Sequence, residues 1–229
     1  FSLFATSFIA ALFSLFLAHF FITLFWAYLV MLCLYMIWRD KNLDQFGVLG
    51  FLFGILGFEI YYLISGNEKF LNLQIYLHII AILLISYRVS VVLGKEALKR
   101  EKDMDEAIFV PNFIYKNIAI CMTCAFLIFN IFFEKSIGTY YVAIACGCAV
   151  LAKLKEWHYK QLLRHNFVIY YYFMQIFLAV GFLGIGASGL LNLGLEVNFM
   201  HLIAINAVIF SVMLIFNIAG LRHSGQELE

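Results

Sequence analysis

NFMHLIAINAVIFSVMLIFNIAGLRHSGQELE, residues 198–229, is the stretch on which the reading of the whole chain turns. Residues 199–221 contain no Asp, Glu, Lys or Arg. At a rise of about 1.5 Å per residue, this run is long enough to cross a hydrocarbon core of roughly 30 Å as a helix. His201 lies about one turn in from its first end. His223 follows directly after the second, beside Arg222 and the turn-forming pair Ser224 and Gly225. One imidazole therefore stands at a membrane–water boundary on each side.

Composition agrees with that segment. Of the 229 residues, 65% are apolar and only 13% charged, a balance that would not stay soluble because too much apolar surface would face water. The chain reads as an integral membrane protein. A single proline and long unbroken apolar runs point to helices, and the polar-in, apolar-out alternation of a barrel is absent. The net charge of +1 gives no case for a nucleic-acid partner. The opening run is not expected to be a signal peptide, since it shows no basic n-region and continues too far.

Working back from the C-terminus, residues 167–189, 137–154, 113–132, 70–93 and 46–65 each have the length and polarity of a further span. Residues 1–38 carry no charge, glycine or proline, and 38 residues is almost two crossings. One long tilted helix and two helices both fit this run. The fold class expected is all-α: a polytopic transmembrane bundle of seven or eight membrane helices with short loops, forming one domain over residues 1–229. Gly47, Gly50, Gly54 and Gly57 recur at helical spacing and suit close packing on a neighbour. Gly181, Gly184 and Gly186 thin another helix enough for a neighbour, or a flat cofactor, to approach.

Basic residues orient the spans. Alternate connections hold Arg39, Lys41, Lys95, Lys99, Arg100, Lys102, Lys153, Lys155, Lys160, Arg164 and Arg222, against Lys69 and Lys135 in the others. That bias of eleven to two places the first set and the C-terminus in the cytoplasm. The connection 94–106 is the most charged and is expected in water. The stretch WHYKQLLRHN, residues 157–166, is basic and amphipathic and is expected to rest on the headgroups.

Orientation turns positions into depths. Measured from the cytoplasmic ends, His19 and His201 fall about 28 Å up, His78 about 22 Å and Glu59 about 19 Å. Ionisable groups at such depth are costly unless paired, coordinated or facing a wet cavity. Two accounts follow. His19, His78, His201 and Glu59 could form a metal or haem site near the outer face, with imidazole nitrogens as ligands. Alternatively, each histidine separately ties neighbouring helices. Cys121 and Cys124 on one span, and Cys146 and Cys148 on the next, are either soft ligands beside Met122 or small apolar fillers. Arg88 either snorkels to the cytoplasmic interface or holds an anionic group such as a haem propionate. No residue is assigned a catalytic role, and no phosphate loop, nucleophile elbow or metalloprotease helix is present.

The closing segment resembles the C-terminal signature of the NnrS family of multi-span bacterial membrane proteins, in which a helix-opening histidine precedes a Leu-Gly-His-Thr-Gly-Arg-type element. Here those positions are His201 and then Leu221, Arg222, His223, Ser224, Gly225 and Gln226, with the two histidines 22 positions apart. Residues 84–89, LISYRV, are similar to the family's Gly-Gly-Arg-Val element, and Arg39 to Asn42 resembles its Arg-rich connection. The match reads as the C-terminal half of a family usually about twice this long. The resemblance implies a haem- and copper-containing protein of the bacterial inner membrane, linked to nitric oxide response or resistance. It also implies that His201 and His223, and after them His78 and Arg88, bind the cofactor, and the depth reading adds His19 to them. Two other classes remain: an accessory subunit packed against other membrane subunits, and a permease passing a metal ion or small solute between His78, Glu59 and His201.

Overall fold

The computed structural model describes residues 2–41, 46–100, 109, 111–159 and 161–223, except the side chains of 207, 215, 217–219 and 221–223. It is all-α. In order come α1 (Ser2–Ala11), α2 (Leu15–Asp40), α3 (Phe46–Ser65), α4 (Lys69–Lys99), α5 (Phe113–Phe132), α6 (Ile137–Leu154), α7 (Asn166–Leu190), α8 (Glu196–Leu202) and α9 (Phe210–His223). A π-helical stretch, Ile203–Ile209, joins α8 to α9 in one continuous rod. Seven helical segments among the described residues are long and apolar enough to cross a membrane. The protein is a multi-pass integral membrane protein.

The undivided opening run breaks at a serine. Ser14 is extended, with φ −161° and ψ 128°, and its hydroxyl accepts from the Leu17 N–H at 3.5 Å, as an N-cap does. The result is a short α1, too short to cross, which folds back so that Phe4 lies 5.3 Å from Phe25 between ring centroids. Side-chain caps also start α5 at Asn112 and α6 at Ser136. Gly66, with φ +66°, takes the left-handed turn between α3 and α4 at no steric cost.

The chain divides into two compact units, residues 1–81 and 82–229, with the boundary inside α4. In the first unit, Val30 and Ile37 of α2 pack on Leu49 of α3. Gly54 meets the Leu77 side chain at 3.2 Å from an ideal Cβ, whereas Gly50 and Gly57 have nothing within 4 Å. The expected glycine contact is therefore made at Gly54 and not at those two.

The second unit is more deeply packed. Gly186 and Gly189 of α7 close on Tyr140 of α6, and Gly181 and Gly184 close on Ile203 and Phe199 of the last rod. These glycines serve helix packing and leave no slot for a flat group. The helix α4 runs six residues past the expected end at 93. Leu93, Ala97 and Leu98 are buried with Phe109, Trp157 and Leu162, so one face of the helix at 93–98 is core rather than solvent. Trp157 is likewise fully buried, because its indole finds both apolar neighbours and a carboxylate, and it does not rest on headgroups.

Candidate functional site

In the first unit the polar residues of three helices meet. Glu59, on α3, is only 1% exposed. A carboxylate in that position needs its oxygens satisfied, and both are. His19 Nδ1, from α2, lies 2.6 Å from Glu59 Oε1. The Gln74 amide, from α4, donates to Oε2 at 2.6 Å and to the Ile55 carbonyl at 3.2 Å. Tyr62 follows Glu59 by three residues and is therefore its neighbour on the surface of α3. Its ring lies 4.5 Å from the His19 imidazole in an edge-on contact.

One turn along α4 from Gln74, His78 places Nδ1 2.7 Å from the Gln74 carbonyl oxygen. A carbonyl only accepts, so Nδ1 carries the proton and Nε2 is left with its lone pair in the neutral ring. Trp26, two turns after His19 on α2, lies 5.5 Å from the His78 ring. With Glu59 Oε1 as the acceptor, the same assignment holds at His19. Two imidazoles thus have Nδ1 committed to oxygen and Nε2 available, the arrangement in which histidines bind metals.

His201 repeats the pattern in the second unit. Its Nδ1 lies 2.8 Å from the Val197 carbonyl, and the residue is exposed. Arg88 is exposed on α4. His223 ends α9, and its side chain lies outside the described residues. Among the described residues, no three His, Cys, Asp or Glu side chains stand together as a ready metal-ligating group. Cys146 is buried while Cys121 and Cys148 are exposed, so the four cysteines do not converge on one point. The donor chemistry of His19 and His78 would suit haem iron or copper(I) held through imidazole nitrogen.

Sequence alone does not single out Gln74 or Tyr62. The signal for Gln74 is a lone amide in an apolar run, four residues before a histidine, where its backbone carbonyl falls beneath the imidazole. A second polar cluster escapes the sequence in the same way. Lys153, expected from its position to be a solvated cytoplasmic charge, is buried instead and only 2% exposed. Its ammonium donates to the Tyr171 hydroxyl at 3.1 Å and lies 3.6 Å from Glu156 Oε1. Glu156 also accepts from the Trp157 indole at 3.1 Å and from the Asn112 backbone N–H at 3.1 Å. Ser90 lies 3.0 Å from the Tyr171 hydroxyl, which donates to the Ser86 carbonyl at 3.2 Å. A lysine at a helix end looks solvated in sequence; only the fold supplies its partners.

Compared with known proteins, residues 1–229 match a family model described as NnrS protein. The match runs over the whole chain and not over a closing segment alone. No curated protein and no solved structure matches the chain.

Proposed function

The chain belongs to the NnrS family, and on that premise we propose that it binds haem or copper in the bacterial inner membrane and acts in the response or resistance to nitric oxide. The observation that carries this proposal is the pair of imidazoles, His19 and His78, whose Nδ1 atoms are held by Glu59 and by the Gln74 carbonyl. His19 and His78 would supply Nε2 ligands in the first unit, and His201 and His223 are candidate ligands in the second, independently of that pair. When bound, the metal would supply an open coordination position for a diatomic gas. The protein's own share is orientation and exclusion: Glu59 and Gln74 fix the His19 ring, Trp26 and Tyr62 limit its movement and that of His78, and the apolar helices keep bulk water away.

The test is an absorption spectrum with copper analysis on the purified protein. A Soret band or stoichiometric copper, lost in His19→Ala and in His78→Ala, is the expected result. A colourless, copper-free preparation from cells supplied with both would sink it. A second account has its own support. The bonds His19–Glu59 and Gln74–Glu59 tie α2, α3 and α4 together, as an accessory membrane subunit with purely structural histidines would need. In that case the same substitutions lower stability and change no spectrum.

A further inference from the structure

The helix α4 is longer than a membrane is thick. Its 31 residues make about 46 Å of helix against a hydrocarbon core of roughly 30 Å, so its C-terminal part passes through the cytoplasmic headgroup layer. The level of the membrane edge is marked by Tyr87, whose ring meets Phe113 at the start of α5 with centroids 6.1 Å apart. Next to Tyr87 is Arg88. From there Arg88, Lys95 and Lys99 follow at spacings of seven and four, which is one face of a helix, and all three are exposed.

Lys116 adds a fourth cation at the same level. Its ammonium lies 4.4 Å from the centroid of the Phe113 ring and 5.1 Å from that of Tyr87. The two rings hold it in place but carry no net charge to neutralise it. Among the described residues, none of these four cations has a carboxylate partner, whereas Arg100 is taken by Glu96 at 3.6 Å and Lys153 by Glu156 at 3.6 Å. Among the described residues, acidic side chains stand beside the neighbouring cations and not on this face.

We propose that Arg88, Lys95 and Lys99, with Lys116 held between its two aromatic rings, form a seat for the headgroup of an anionic phospholipid of the cytoplasmic leaflet. The charge is complementary, the depth is that of the phosphate layer, and basic surfaces at the cytoplasmic edge of membrane helices attract such lipids. Arg88 and Lys116 reach the phosphate from the membrane edge. Lys95 and Lys99, roughly 10 and 16 Å further along the helix, meet the headgroup from above.

The test reconstitutes the full chain in vesicles and compares spin-labelled phosphatidylglycerol with spin-labelled phosphatidylcholine by the fraction immobilised on the protein. Phosphatidylglycerol is expected to associate several-fold more strongly at low salt. That preference should shrink in high salt and fall to near parity when Arg88, Lys95, Lys99 and Lys116 are all changed to Gln. The outer-side pair Lys69→Gln and Lys135→Gln should leave it unchanged. Should the fourfold variant fail to fold, Lys95→Gln with Lys99→Gln, on an exposed helix face, should still lower the preference about half-way, and Lys116→Arg should keep it. Equal association of both lipids with the unaltered chain overturns the proposal, as does a preference that survives the substitutions. Displacement of the labelled lipid by millimolar inorganic phosphate would assign the seat to a soluble anion and overturn the lipid assignment.

Discussion

Glu59 is the residue whose neighbours depend on it most. Removing it as Glu59→Ala strands the His19 N–H and the Gln74 amide in a buried site, at about 1–3 kcal/mol for each unpaired group. The thermal midpoint of the detergent-solubilised protein should fall clearly, and Glu59→Gln, which keeps one acceptor, should fall less. Lys153 behaves in the same way in the second unit. Lys153→Met leaves Glu156 buried and unpaired by its cation, a change worth about 3–5 kcal/mol in comparable sites. Gln175 gives the opposite sign: it is 1% exposed, and neither its amide nitrogen nor its amide oxygen has a partner among the described residues. Gln175→Met should be neutral or stabilising when the two variants are compared in one unfolding series. A carboxylate inside an apolar run announces itself, which is why Glu59 is legible in the sequence. Its partners are not, because rotation of each helix about its axis decides which side chains face one another, and nothing local in the sequence sets that angle.

Among the elements, α3, α5 and α6 are legible to the residue, since polar or capping residues stand immediately outside each apolar run. The opening run is not, because a serine within apolar sequence is as compatible with a helix interior, bonded to its own backbone, as with a cap. The contrast between glycines makes a test at this scale. An ideal Cβ on Gly186 would fall 2.6 Å from the Tyr140 carbonyl oxygen, whereas Gly50 and Gly57 have nothing within 4 Å. Gly186→Ala should therefore force α6 and α7 apart and reduce folded yield. Gly50→Ala and Gly57→Ala should be harmless, or stabilising by up to about 1 kcal/mol through helix propensity. Retention on size exclusion and the unfolding midpoint read both effects.

For the whole molecule, the uneven placement of lysine and arginine predicts the direction of the spans from α3 onward, and this can be checked without a ligand. A membrane-impermeant maleimide applied to intact cells should label Glu68→Cys, between α3 and α4, and should leave Lys155→Cys, after α6, unlabelled until the cells are opened. The grouping of the histidines is beyond the sequence for a reason at this scale: His19 and His78 belong to one compact unit and His201 to the other, a division that no composition shift marks. The π-helical stretch at Ile203–Ile209 has a consequence for how the last rod tolerates change in length. A π turn is the signature of one residue inserted into an α-helix, so the rod carries a surplus residue at that point. Deleting one residue there should let the backbone heal into an uninterrupted α-helix with both flanks still in phase, so that Phe199 keeps its place against Gly184. The same deletion a turn or more away, in regular α-helix, should instead swing everything before it by about 100° and dislodge Phe199.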